Sequence, residues 1–520
     1  MRARALWAGE MEMPQKHVVI VGAGPGGLTS GMILAHRGFR VSLFEKKDVV
    51  GGRNAALQLG PFKFDTGPTF LMMRFILDEM FRAAGTEAQD RLEFTRLDPM
   101  YELLFEDFRL TFTDDHDRMR EQIAAHFPGR EAGFDRFLSS EKKRFERLYP
   151  CLQKPYSSMW ALLAPTFLRA LPVMSLTQSV FGTMHDYFQS DPLTLCFTFQ
   201  SKYLGMSPWK CPAVFSMLPY IEHAYGIYHT TGGLSEISTA MAGVLEERGG
   251  ELHLSTPVSR LTVDGGGVKG VQLEDGQSIP ADIVIANADF SQAMCDLVEP
   301  RWLRKWHPDL LERKAYSCST FMLYLGLDKV YDMAHHSIAF AHDYRANLED
   351  IADRMILSED MSFYVRNASV NDPTLAPVGK SAVYVLVPVP NCRADVDWAK
   401  EKGSFRDKVL DAIEARTPMR DIRQHIEQER VITPFEWRDD YDIYAGATFS
   451  MAHSISQMLH RRPHNQFEEL RNCYLVGGGT HPGSGLPTIY ESGRITANMI
   501  SARFGVPFEP PAPLPAASGE

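Results

Sequence analysis

Short β-branched runs alternate with helical stretches at the start of the chain. The run at 17–21, HVVIV, has no polar residue after His17 and predicts a buried parallel strand. Helical residues follow to about Arg37, Gly38 ends the helix, and 41–45 predicts a second strand. This order predicts a βαβ unit at the beginning of an α/β fold.

The pattern changes further along the chain. Residues 70–230 are mostly helix-like, and a helix is predicted at 234–248, before two glycines. Apolar and polar residues alternate at 251–288, which predicts short strands joined by hairpin turns. The last of these strands is apolar and is predicted to return to the parallel sheet. Later elements are predicted as strands at 382–389 and 473–477 and as helices at 404–416 and 488–504.

A glycine-rich turn joins the first predicted strand to the first helix. Gly22 permits the tight turn, Gly24 lets the backbone approach a pyrophosphate, and Gly27 lets helix and strand pack closely. The helix N-terminus then offers free N–H groups to the phosphates. Glu45, at the end of the second strand, can accept hydrogen bonds from both ribose hydroxyls. The pattern therefore predicts a dinucleotide site for NAD or FAD.

A second glycine-rich turn, at 477–488, separates these two cofactors. NAD needs no such element, whereas a flavin extends past the pyrophosphate toward a second helix N-terminus, which can stabilise negative charge on the reduced ring. The sequences GGR at 51–53 and DTGPT at 65–69 also indicate a chain that runs beside a longer ligand. The two turns together favour FAD.

The motifs GAGPGGL, GGRNAAL, FDTGPTF, YHTTGGLSEI, NADFSQA and LVGGGTHPGSGLP occur in this order between about 17 and 500. With them the chain resembles the bacterial and fungal phytoene desaturase family, the FAD-dependent carotenoid desaturases that include the C30 diapophytoene enzymes. The resemblance implies an α/β fold with a Rossmann-type, amine-oxidase-like FAD-binding domain, a mixed α+β substrate domain and a helical membrane-contacting part. It implies FAD contacts at Gly22, Gly24, Gly27, Glu45, Gly52, Arg53, Gly67, Pro68, Thr69, Val258, Gly479, Thr480 and Leu486.

Both turns must serve one flavin although they lie at opposite ends of the chain. We therefore expect a discontinuous FAD-binding domain and a substrate domain between its parts. The expected bounds are 14–75, 230–295 and 470–505 for the FAD-binding domain, 76–229 and 296–469 for the substrate domain, and 1–13 and 506–520 for disordered tails.

The activity implied by the resemblance is desaturation of a phytoene- or diapophytoene-like polyene, with oxygen or a membrane quinone as electron acceptor. Isomerisation, saturation or terminal oxidation of such a polyene stays open, as does a non-catalytic prenyl-lipid carrier. After GLP the chain reads TIYESGRITA, where many family members have a run of small residues. Glu491 and Arg494 in this stretch are expected to alter either the electronics of the flavin or the end of the substrate tunnel.

Composition limits the other function classes. The chain has 54 Lys and Arg against 65 Asp and Glu, a formal net charge of −11, which argues against nucleic acid as a partner. The 7 Cys include no CxxC pair, so neither a zinc site nor a disulfide framework is predicted, and a cytoplasmic location fits.

The segment 155–184 has Arg169 as its single charged residue and is broken by Pro165 and Pro172. It is either a buried helical pair or a surface that dips into one leaflet of a membrane. Because a polyene of this class resides in the bilayer, the resemblance favours reversible, peripheral membrane association.

No catalytic residue is assigned from the sequence. His481 is expected to be a turn or helix-cap residue beside the flavin, with direct proton transfer as the alternative, and the pair at 335–336 is expected on a loop. His223 and His229 precede the return to the FAD-binding domain, where either could meet the polyene. Glu491 is either a solvated helix residue or a base near the flavin.

Overall fold

The predicted βαβ unit lies in a parallel sheet in the computed structural model, which describes residues 15–517. The apolar runs form central strands because they are buried on both faces of this sheet. In spatial order the strands are β10 (Glu251–His253), β2 (Arg40–Phe44), β1 (His17–Val21), β14 (Ile283–Ala286) and β20 (Cys473–Leu475).

Two helices pack against α1 (Pro25–His36) beside this sheet: α9 (Ser235–Glu247) and α15 (Leu486–Arg503). Gly493 permits the close crossing of α1 and α15, since a Cβ at this position would lie 2.9 Å from the Gly26 carbonyl oxygen. The predicted helices at 234–248 and 488–504 are therefore present with shifts of one or two residues at their ends.

Antiparallel strands form the rest of the β structure. The two predicted hairpins join β11 (Val258–Asp264), β12 (Gly267–Leu273) and β13 (Ser278–Pro280). A large mixed sheet contains, in spatial order, β19 (Ile426–Ile432), β15 (Ser319–Leu327), β18 (Ser381–Val389), β17 (Phe363–Asn367), β16 (His336–Ala339), β7 (Tyr101–Leu104) and β8 (Arg109–Phe112). Small sheets contain β3 (Ala56–Leu59) with β4 (Phe62–Asp65), and β5 (Leu71–Met72), β9 (Ile227–Thr230) and β6 (Phe94–Arg96).

The remaining helices lie between β5 and β20 in the chain. They are α2 (Arg74–Ala83), α3 (His116–His126), α4 (Glu131–Leu152), α5 (Pro165–Ala170), α6 (Val180–Phe188), α7 (Asp191–Cys196), α8 (Met217–Tyr225), α10 (Phe290–Asp296), α11 (Pro308–Leu311), α12 (Tyr344–Glu349), α13 (Trp398–Arg416) and α14 (Pro434–Asp439).

Two parts of the chain differ from the sequence expectation. The expected loop at 335–336 is wrong, because His336 begins β16 and both histidines are buried. The tail at 506–517 has no regular secondary structure, yet Leu514 packs against the core and the Tyr225 hydroxyl donates to the Pro515 carbonyl at 3.2 Å. The expected tails at 1–13 and 518–520 lie outside the described residues.

The apolar segment 155–184 divides into an inner and an outer set of side chains. Tyr156, Phe167 and Ala170 are buried against the end of α4, so this side of the segment is core. The outer side exposes six large apolar side chains, with Trp160 79 % exposed: Met159, Trp160, Leu163, Leu168, Leu171 and Leu176. Among the described residues, no helix has the length and hydropathy needed to span a membrane.

Candidate active site

The two glycine-rich turns meet at the carboxyl ends of β1 and β14. A Cβ on Gly26 would lie 3.1 Å from the Gly477 amide nitrogen, so the turns are in direct contact. Asn287, which directly follows β14, contacts both turns: its Nδ2 donates to the carbonyl oxygens of Gly22 at 2.9 Å and Gly24 at 3.1 Å. On the second turn, a Cβ on Gly477 would lie 3.3 Å from the Asn287 Oδ1. Sequence reasoning missed Asn287 as a site residue, although the sequence Asn-Ala-Asp at 287–289 directly follows a predicted parallel strand.

Glu45 and Gly52 lie against the first turn. The carboxylate of Glu45 accepts a hydrogen bond from the Ala23 amide at 2.8 Å, and the carbonyl of Ala23 accepts one from the Gly51 amide at 2.8 Å. A Cβ on Gly52 would lie 3.6 Å from the Cα of Gly24. The strand-end carboxylate and the GGR turn are therefore placed around the same backbone loop.

Three further predicted contact residues take different positions. Val258 begins β11, just after Thr256, whose amide donates to the Glu45 carbonyl at 2.8 Å. Gly479 packs against Phe290, since a Cβ there would lie 2.7 Å from the Phe290 Cβ. The Thr480 hydroxyl donates to the Pro463 carbonyl at 2.7 Å and so stabilises the turn itself.

A cavity of about 320 Å³ extends from the second turn along the large mixed sheet. Five of the residues predicted from the sequence to contact FAD line this cavity: Arg53, Gly67, Pro68, Thr69 and Leu486. Its other walls are mostly apolar and aromatic, and they include Phe70, Tyr101, Phe199, Tyr203, Ile351, Phe363, Tyr384 and Trp437. Such a slot suits a long apolar ligand and excludes water.

The comparisons with known proteins agree over almost the whole chain. The model of the flavin containing amine oxidoreductases matches residues 25–501. The 4,4'-diapophytoene desaturase (4,4'-diapolycopene-forming) of Methylomonas sp. is 52% identical over 494 residues, 95% of this chain and 97% of that protein. The all-trans-zeta-carotene desaturase of Myxococcus xanthus is 37% identical over 97% of this chain and 98% of its own. The chain belongs to the phytoene desaturase family of flavin-containing amine oxidoreductases.

The fold comparison is consistent with this family. The crystal structure of an oxidoreductase from Methanosarcina mazei superposes with a TM-score of 0.59 at 16% identity, covering 92% of this chain and 99% of that one. At that identity the likeness concerns the fold alone, an α/β flavin amine oxidase-like fold with a parallel Rossmann-like sheet. As a phytoene desaturase family member, the chain is an FAD-dependent oxidoreductase, which confirms the predicted cofactor.

The residues present fit this cofactor. No described side chain caps the N-terminus of α1 or of α15, so the first N–H groups of both helices are available to a ligand. Both N-cap positions are glycines, Gly24 and Gly485, where a backbone can approach closely. The Arg53 guanidinium is fixed beside the cavity by donating to the Thr448 carbonyl at 2.8 Å.

The histidines considered in the sequence analysis fall into two groups. His481, His223 and His229 do not line the cavity. The Nε2 of His481 is 2.9 Å from the Lys154 carbonyl, His223 lies in an aromatic cluster with its pKa lowered by burial to about 3, and His229 contacts Asp372 at 2.7 Å. His336 does line the cavity, which the expected loop position did not indicate.

Glu491 and Arg494 also lie away from the cavity. Arg494 donates to Glu491 and, at 2.7 Å, to Glu79 on α2, and all three groups are buried or nearly so. Burial raises the pKa of the Glu491 carboxyl to about 7. Glu491 is therefore neither a solvated helix residue nor a base that faces the cavity. With Arg494 it links α15 to α2.

A buried carboxyl supports the tyrosines of the cavity wall. Glu222 accepts hydrogen bonds from Tyr101 at 2.8 Å, Tyr203 at 3.0 Å and Gln200 at 2.9 Å. Its three donors are neutral, so burial dominates and raises the pKa of Glu222 from 4.5 to about 7.

We expect the variant Glu222→Gln to remove a pH dependence of stability. Between about pH 4.5 and pH 7 the unfolded chain loses the Glu222 proton while the folded chain keeps it, so raising the pH destabilises the wild type by about 3 kcal/mol. The urea unfolding midpoint, measured from about pH 5 to pH 8, should fall less in the variant. The exposed Glu359→Gln is the control; equal slopes in wild type and Glu222→Gln would contradict the assignment.

Proposed function

We propose that this chain is a carotenoid desaturase that acts on a C30 diapophytoene-like polyene. The observation that carries the proposal is the 52% identity, over 95% of the chain, with a protein named for that substrate. The apolar cavity beside the glycine-rich turns supports it, because a polyene offers no heteroatom to bind and is held by shape alone.

We propose that the predicted contact residues bind different parts of FAD. Gly22, Gly24 and Gly27 would receive the pyrophosphate at the N-terminus of α1, and Glu45 would face the adenosine ribose. The cavity-lining run at 67–69, with Arg53 and Leu486, would border the flavin ring. When bound, FAD supplies the acceptor for the hydride that leaves the polyene.

The protein's own contribution to the reaction is then positioning and exclusion of water. The Tyr384 hydroxyl donates to the Gly67 carbonyl at 3.0 Å and the Tyr324 hydroxyl to the Thr66 carbonyl at 2.5 Å, so strands β15 and β18 fix the run at 66–69. A rigid wall of this kind aligns one C–H bond of the polyene and keeps water from the reacting carbons.

We further propose that the chain binds reversibly to one leaflet of a membrane through the outer side of 155–184. The end of that segment lies close to the cavity wall: the Phe181 amide donates to the Pro208 carbonyl at 3.0 Å, one residue after the cavity-lining Ser207. A polyene could pass from the bilayer to the cavity along this surface. Oxygen or a membrane quinone is the proposed electron acceptor.

Coexpression with polyene synthases tests the proposed reaction. With a C30 synthase we expect a coloured product that is lighter than diapophytoene by two hydrogen atoms for each added double bond. An unchanged mass would indicate isomerisation, a gain of hydrogen saturation, and a gain of oxygen terminal oxidation. Strains with a C40 synthase, and strains without the desaturase, are the controls; conversion of the C40 substrate alone would overturn the C30 assignment, and purified protein without flavin would favour a carrier.

A further inference from the structure

The proposed desaturation removes two hydrogens from adjacent carbons, and its proton needs an acceptor. Among the described residues that line the cavity, Arg53 and Trp437 carry nitrogens that only donate hydrogen bonds. The groups left to accept a proton through a basic nitrogen or a nearby carboxyl are His336, Lys202, and the tyrosines backed by Glu222. The other walls near them are carbon-rich, so the choice of acceptor is narrow.

His336 has the free nitrogen that the role requires. The ring is 1% exposed and lines the cavity, and its Nε2 has no hydrogen-bond partner among the described residues. Its Nδ1 lies 2.7 Å from the Tyr364 hydroxyl, which lies 2.7 Å from the Thr69 hydroxyl. His336 is therefore two hydrogen bonds away from the run that borders the proposed flavin position.

The environment of His336 keeps the imidazole neutral. Burial is the main cause that lowers its pKa well below the ordinary value, and the neighbouring His335 and Arg366 lower it further. A neutral ring with Nδ1–H donating to Tyr364 has its lone pair on Nε2. A weak base is sufficient here, because a proton beside a developing allylic cation is strongly acidic.

The two other candidates fit less well. Glu222 does not line the cavity, and both of its oxygens already accept hydrogen bonds. Lys202 does line it, but its Nζ donates to Ser362 at 2.6 Å and has no hydrogen-bonded connection to the run at 66–69 in the described contacts. Hydride and proton leave adjacent carbons, so the acceptor must lie near the flavin end.

We propose that His336 is a catalytic residue, whose Nε2 accepts the proton released by the polyene, while Tyr364 and Thr69 hold the ring. The inference rests on the proposed desaturase function. Two C–H bonds break in each desaturation: the electron pair of one leaves with its hydrogen as hydride to FAD, and the pair of the other becomes the new C=C bond. The remaining proton forms the N–H bond at Nε2.

The test follows reduction of the bound flavin by polyene in a single anoxic turnover, which requires no electron acceptor. We expect His336→Phe to retain FAD and the wild-type melting temperature but to reduce the flavin roughly a hundredfold more slowly, as for loss of a general base. Tyr364→Phe should slow reduction roughly tenfold. Tyr344→Phe, which removes a buried hydroxyl with no partner in the described structure, is the matched control and should match the wild type.

Chemical rescue distinguishes a catalytic role of His336 from a structural one. In His336→Ala, added imidazole should restore flavin reduction, whereas pyrrole, a ring of the same size without a basic nitrogen, should not. Near wild-type reduction in His336→Phe, or equal rescue by pyrrole and imidazole, would overturn the proposal. If His336→Phe does not retain FAD, the rescue of His336→Ala decides alone. If wild-type flavin is reduced by no polyene, the proposed function fails as well; if it is reduced and the His336 variants match it, the proton acceptor alone is wrong.

Discussion

The variant Gly27→Ala is expected to lose most of its bound FAD. A Cβ at Gly27 would lie 2.4 Å from the Gly22 carbonyl oxygen and 2.6 Å from the Asn287 Nδ2. The amide could rotate, but the carbonyl belongs to the turn that would receive the pyrophosphate, so the turn itself must move. Overpacking of this kind costs about 3 kcal/mol, roughly a hundredfold in the dissociation constant of FAD.

The flavin-to-protein absorbance ratio and an FAD titration of the apoprotein measure this effect. Gly243→Ala on α9 is the matched control, because a Cβ there meets nothing within 4 Å and alanine favours a helix over glycine. Far-UV circular dichroism of both variants verifies the fold. Full flavin occupancy with wild-type affinity in Gly27→Ala would show that the turn does not form the pyrophosphate site.

The nucleotide-binding part of the fold was accessible to sequence reasoning because its signals are local. β1 and β14 are continuous apolar runs, and the glycines between β1 and α1 are adjacent in the chain. Some observed helix ends differ from the predicted ones by a few residues; for example, α13 begins at Trp398 rather than near 404. Such shifts do not move the site, because the turns between the elements were placed correctly.

The part of the fold around the cavity was harder to predict from the sequence, because its residues contact partners that are far away in the chain. β7 lies in a region that looked helical, and it becomes a strand by pairing in parallel with β16, far along the chain. His336, which the sequence alone placed on a loop, is the first residue of β16 and pairs with Arg366 on β17. Thr69, Tyr364 and His336 come from three separate stretches, and no single-sequence pattern predicts that their polar atoms are 2.7 Å apart.

Glu491 and Arg494 illustrate the same limit. Their position within about two helical turns of the second glycine-rich turn suggested a role at the flavin, but the helix turns this face toward α2. There Arg494 lies between Glu491 and Glu79, and its positive charge offsets part of the negative charge of the two carboxyls in the core. The partner on α2 is not recognisable from sequence spacing.

The double variant Trp160→Asp with Leu163→Asp is expected to lose lipid binding while it retains FAD. Both residues lie in the short 3-10 helix Met159–Leu163, which has no buried residue, with exposed fractions of 79 % and 59 %. Burying two such side chains in a leaflet contributes about 3–6 kcal/mol, so their loss should lower partitioning into liposomes roughly 10²- to 10⁴-fold. Liposome flotation measures the bound fraction.

Matched substitutions decide whether the effect belongs to this segment. Val378 is fully exposed outside 155–184, so Val378→Asp adds a charge at an apolar surface position and should leave flotation unchanged. Phe167, which belongs to the same stretch of sequence, is unsuitable because it is buried at 6 % against the end of α4, and an aspartate there would disrupt the core.

Wild-type protein that stays with the soluble fraction in the presence of liposomes would refute the membrane proposal. Equal flotation of the wild type and the double variant would instead place the lipid contact elsewhere on the surface, because the two aspartates replace two of the three most exposed large apolar side chains of this segment.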